Sequence, residues 1–145
     1  MLAASLAMST TSGAALAYGI HQPTEPPPAT IPASTGVICM MAIFNAVAEV
    51  GRQCFSGQDR EFQAELRRTV DQIDQYVLRN SPATPADLER FKREQANIGE
   101  PQAAVCQPEV IGMYRDMANL GAARLRSETD ALLARPGPPE WGDCL

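Results

Sequence analysis

Val37-Ile38-Cys39-Met40-Met41-Ala42-Ile43-Phe44-Asn45-Ala46-Val47-Ala48-Glu49-Val50 is apolar on nearly every side of a helix, with only Asn45 and Glu49 interrupting it. At the rise of an α-helix this stretch is about 21 Å long. That is short of the ~20 apolar residues needed to cross a bilayer. A helix that is apolar all round must be covered by other helices. The stretch therefore predicts the central helix of a small all-α bundle, with the rest of the chain wrapped round it.

Composition agrees with a folded domain. Hydrophobic residues make up 45% and charged residues 20% of 145, an ordinary globular balance that bounds the chain to one domain plus flanking segments. The net charge of −5 leaves no electrostatic footprint for a phosphate backbone, so no nucleic-acid partner is expected. It also disfavours long-range attraction to anionic membrane surfaces.

Upstream of the apolar stretch, residues 1–17 (MLAASLAMSTTSGAALA) are small, mildly apolar and uncharged, and end in Ala15-Leu16-Ala17. This matches a signal-peptidase site, although the basic region that usually opens a signal peptide is missing. Cys39 follows Val37-Ile38 rather than the small residue a lipid-anchoring site wants, so a lipoprotein is not expected. Residues 18–34 read as a linker, with five prolines in the twelve positions of HQPTEPPPATIP, residues 21–32. Proline fixes φ and removes donors, which predicts an extended, polyproline-like segment. The domain is then expected over residues 35–145, and truncation at Ala33 is expected to leave it folded.

Downstream, the first helix is expected to be capped by Ser34 or Thr35 and to run to about Cys54. A second follows from Gln58 to Arg79, with Ser56 and Asp59 as its capping signal and Phe62, Leu66, Val70, Ile73 and Val77 as one helical stripe. Asn80-Ser81-Pro82 stops it. Thr84-Pro85-Ala86-Asp87 is the clearest start signal in the chain, with a cap, a proline at the first helical position and an acid facing the free amides. The third helix is expected to reach about Ile98, with Leu88, Phe91, Gln95 and Ile98 inside. The fourth is expected to run unbroken from about Pro108 to Arg135, roughly 40 Å. Its buried stripe would be Val110, Met113, Met117, Leu120 or Gly121, Leu125 and Leu132. A small-residue patch at Ala118, Gly121 and Ala122 would let a neighbouring helix approach closely.

Four cysteines in a chain with an export signal argue for two disulfides. Their spacings match no zinc pattern, and no C-x-x-C is present. Cys39 and Cys54 lie about 22 Å apart on one helix, whereas a disulfide needs Cα atoms within ~7 Å. In an up-down four-helix bundle Cys106 returns to the end that holds Cys54, and Cys144 to the end that holds Cys39. The predicted bonds are Cys54–Cys106 and Cys39–Cys144, each contributing roughly 4 kcal/mol on the chain-entropy account. Trp141 would lie against the lower bond or the adjoining end of the first helix, as a lid or as a contact for a ligand.

The chemistry available is sparse. The only histidine is His21, in the linker, which removes Ser-His-Asp and Cys-His catalysis and the usual zinc sites from the domain. Neither a Gly-rich phosphate loop nor G-x-S-x-G is present. Glu49 on the most buried helix needs a partner, with Arg115 or the nearby Arg52 as candidates. A functional acid raised by burial is the alternative. Arg90, Lys92 and Arg93 form a basic cluster that reads as a solvated helix face or a contact for an acidic partner. These features predict an exported, periplasmic or secreted, non-catalytic helical module that binds another envelope protein. No cofactor or metal is expected, and no stable transmembrane anchor after cleavage; the oligomeric state is not legible. The alternatives are a small-hydrophobic-ligand carrier with the first helix and Met40, Met41, Met113 and Met117 lining its cavity, and a structural accessory subunit of an envelope complex. An enzyme built on carboxylates around Glu49 or Asp116 ranks below both.

Overall fold

The computed structural model describes residues 31–144; the expected leader and most of the expected linker lie outside them. Six helices follow in order: α1 Val37–Cys54, α2 Arg60–Asn80, α3 Pro85–Ala96, α4 Gln102–Val105, α5 Pro108–Leu120 and α6 Ala122–Leu133. The fold is all-α, and α1 is its axis. By length and composition α1 could cross a membrane; here α2, α3, α4 and α5 pack around it, while α6 lies against α2 and α5. Val37, Met40, Met41, Phe44, Val47 and Val50 of α1 are buried together with Phe62, Leu66, Ile73 and Val77 of α2, in one core.

Both disulfides form as the helix geometry requires. Cys39 joins Cys144 and Cys54 joins Cys106, with Cα separations of 5.6 and 6.0 Å. The two bonds sit at opposite ends of α1.

The expected fourth helix is not one helix. It ends at Leu120 and restarts at Ala122, because Gly121 adopts φ 86°, ψ 165°, a region open essentially to glycine alone. Gly121 is therefore the breakpoint and not part of a close-packed patch. The break lets the two halves turn different faces inward. On α6, Leu125 and Leu132 are buried as expected. On α5 the fully buried residue is Tyr114, while Met113 and Leu120 are 41% and 46% exposed.

Helix starts differ in how their free amides are met. Thr84 and Asp87 form a reciprocal capping box, and Asp87 is lowered to about 2, first by the Thr84 hydroxyl and amide and then by Arg90. The expected caps of α1 and α2 are not used. Asp59 precedes α2 with left-handed backbone and no cap hydrogen bond from its side chain, and Gly36 precedes α1. The C-terminal tail serves α1 instead. Gly36 N donates to Trp141 O at 3.0 Å, Ile38 N to Glu140 O at 3.0 Å, and Asp143 N to Ser34 O at 2.9 Å. A Cβ on Gly36 would lie 2.1 Å from Glu140 O, so only glycine admits the tail here.

Packing extends back past the expected boundary at Thr35. Ile31 is buried in the core. Arg135 Nη1 donates to Thr35 O at 2.7 Å and to Ala33 O at 3.3 Å, fixing the entering chain. On α3, Gln95 is exposed and Ala96 takes the inner position.

Candidate functional site

An apolar groove of about 150 Å³ lies between α1 and the α5–α6 pair. Its floor is Ile31 with Met40, Ile43 and Phe44 of α1. Met113, Met117 and Leu120 of α5 form one wall, and Arg124, Leu125 and Glu128 of α6 close the far end. The wall exists because α5 points Tyr114 into the core, which turns the 113, 117, 120 stripe toward solvent. A wall of methionines is deformable, since the thioether side chain is unbranched and polarizable.

At the polar end, Arg124 Nε donates to Glu128 Oε1 at 2.6 Å. Arg124 is 19% exposed, and its Nη2 is buried with no acceptor among the described residues. A buried donor left in this way is unusual and costly.

The residues singled out by sequence fall into three places. Glu49 is buried, and the expected pairing with Arg115 is not made. Arg52, one turn on, donates Nε to Oε2 at 2.8 Å and Nη2 to Oε1 at 2.5 Å, and Gln53 Nε2 adds a bond at 2.6 Å. The Arg52 hydrogen bonds hold the Glu49 carboxyl below its ordinary range despite burial. Arg115 instead places its guanidinium 5.6 Å from the Phe55 ring centroid. A carboxylate with these bonds is an acceptor already filled, not a free acid.

The basic cluster is largely consumed by ion pairs. Arg90 Nη2 donates to Asp87 Oδ1 at 2.6 Å, and Lys92 bridges Asp74 and Glu89. Burial pushes the Asp74 carboxyl up in spite of Lys92. Burial also opposes the Lys92 ammonium, but Asp74 and Glu89 outweigh it and raise Lys92. Arg93 is exposed. Trp141, 47% exposed, lies with its ring centroid 5.7 Å from that of Phe91, so it covers α3 as well as the start of α1. Arg90 and Phe91 line a shallow depression of about 320 Å³ beside it.

Of the four methionines expected to surround a cavity, Met40, Met113 and Met117 line the groove; Met41 faces α3. Ile31, Leu120, Arg124, Leu125 and Glu128 also line it, none of which the sequence assigns to a cavity. The signal for Leu120 was present, as the third member of an i, i+4, i+7 series, but that series reads equally as core. No group of three or more His, Cys, Asp or Glu side chains that could hold a metal forms among the described residues.

Two disulfides and no free cysteine among the described residues suit an oxidising compartment rather than a reducing cytosol. Comparisons with protein-family models, with curated proteins and with solved structures each find no match to this chain.

Proposed function

We propose that this chain is an exported, periplasmic or secreted, non-catalytic module that holds an apolar segment of another envelope protein in the groove between α1 and α5–α6. The observation that carries this reading is the half-exposed pair Met113 and Leu120, flanking Met117 over a groove whose walls are apolar. Neighbouring exposed apolar side chains beside a concavity are a usual mark of a docking surface.

A small-hydrophobic-ligand carrier is the second reading, favoured by the methionine lining. The groove's volume of about 150 Å³ lies below the ~300–1,000 Å³ of pockets that enclose whole ligands, which ranks it second. The accessory-subunit reading loses its main support with the break at Gly121, since it relied on one long two-sided helix.

A photo-crosslinking amino acid placed at Leu120 tests the proposal. It is expected to trap a protein partner in the exported fraction, whereas the same probe at Arg93 traps none. Equal trapping at both positions, or none at Leu120, overturns the reading.

A further inference from the structure

We infer that the segment seated in the groove is an amphipathic helix carrying an Asp or Glu side chain placed to meet Arg124. This rests on the groove being the docking surface.

Three observations converge on that occupant. Met113, Met117 and Leu120 stand at i, i+4 and i+7 of α5, a stripe about 10 Å long. An incoming helix with the same apolar repeat interdigitates with it. The space of about 150 Å³ suits one or two anchoring side chains rather than a complete small ligand. The end of the groove is an ion pair whose guanidinium keeps one unfilled donor. Arg124 gives Nε to Glu128, while Nη2 is buried and has no acceptor among the described residues.

A carboxylate supplied by the partner completes that guanidinium, and bonds between ionised groups are the strong ones at such a boundary. The chain as a whole is acidic, at −5, so the attraction is local to Arg124 and the partner needs no overall positive or negative character. Arg124 lies four residues beyond Leu120, across the break at Gly121. The partner's acid therefore belongs just outside the apolar anchors, after the last anchor if the helices run parallel and before the first if they run antiparallel.

The experiment is selection from a displayed library of helical peptides against the full-length, oxidised protein. Enriched peptides are expected to carry apolar residues at i, i+4 and i+7 with Asp or Glu just outside them, and to lose binding to Leu120→Glu. Replacing that acid by its amide in the peptide should weaken binding about tenfold or more, and the amide peptide should bind wild type and Arg124→Gln alike. The peptide-side change leaves the protein untouched, so loss of folding in Arg124→Gln does not cloud the result. Enrichment of apolar helices without the acid overturns this inference and leaves the docking surface standing. Failure to enrich any peptide sensitive to Leu120→Glu, as when the chain's own residues before Ile31 fill the groove, overturns both.

Discussion

The Phe55 and Tyr114 rings stack face to face, with centroids 4.4 Å apart and planes 5° from parallel. Phe62 meets the Tyr114 ring edge-on at 5.5 Å. The stack ties the end of α1 to α5 beside the Cys54–Cys106 bond, and it is what commits the inward face of α5. Tyr114→Ala is expected to cost about 3–5 kcal/mol. Tyr114→Phe keeps the ring but loses the bonds from Gln63 and to Asp59, for about 1 kcal/mol. Gly51→Ala would place a Cβ 2.8 Å from Tyr114 Cε2, and the ring is too firmly held to yield. Urea unfolding of the three variants checks the order.

Gly121→Ala is expected to destabilise by about 1–3 kcal/mol, because no other residue holds that backbone without strain. Nothing lies within 4 Å of the added Cβ, so any loss measured by denaturation is conformational rather than steric. An unchanged midpoint would mean that α5 and α6 can fuse at no cost.

The two disulfides close loops of unequal length, with sequence separations of 105 and 52. On the chain-entropy account, Cys39→Ser with Cys144→Ser should cost about 4.7 kcal/mol, and the Cys54, Cys106 pair a few tenths less. Thermal melts with and without reductant should show both losses. Reductant leaving the melt untouched would remove the bonds from the stability account.

Acid should weaken the fold through Glu49 and Glu65. Arg52 and Arg126, respectively, hold these carboxyls below their ordinary 4.5. Their folded-state values are lower than their unfolded ones, so the stabilisation is complete above about pH 4.5 and is lost as pH falls through the folded values. Asp74 acts in the opposite sense: burial raises it above 3.8, so its contribution is fullest below that pH and declines as pH rises through the folded value. Glu65→Gln should flatten the acid limb of a plot of melting midpoint against pH.

If residues 1–17 are a cleaved leader, the mature protein begins at Tyr18, and intact-mass measurement of the exported form reads this directly. A truncation that also removes Ile31 is expected to lower the melting midpoint, since Ile31 belongs to the core. The Pro-rich surroundings of Ile31 concealed this in the sequence.

What could be read from the sequence follows from distances that helix geometry sets. Fifteen residues of helix keep Cys39 from Cys54, and of the two pairings that remain the up-down order of the helices favours one. The capping box at Thr84 and Asp87 was legible because its signal is local. The break at Gly121 was not, since apolar spacing continues across it and a glycine within a helix looks the same as one that ends it. The groove shares that cause: Met113, Met117 and Leu120 satisfy a core pattern, and only the inward turn of Tyr114 reveals that they face out. For Glu49, Arg52 and Arg115 were both within reach, and only the folded packing decides between them.

The placement of α1 also bears on how the chain matures when it is delivered N-terminus first. Cys39 and Cys54 emerge well before Cys106 and Cys144, and an unstructured chain would readily join the early pair wrongly. Once α1 has coiled against α2, which follows it before Cys106, its rigid length of about 22 Å keeps these two thiols from reacting with each other until their proper partners arrive. The helix thus guards its own oxidation, and a mutation that melts it early in biogenesis would show up as scrambled bonds.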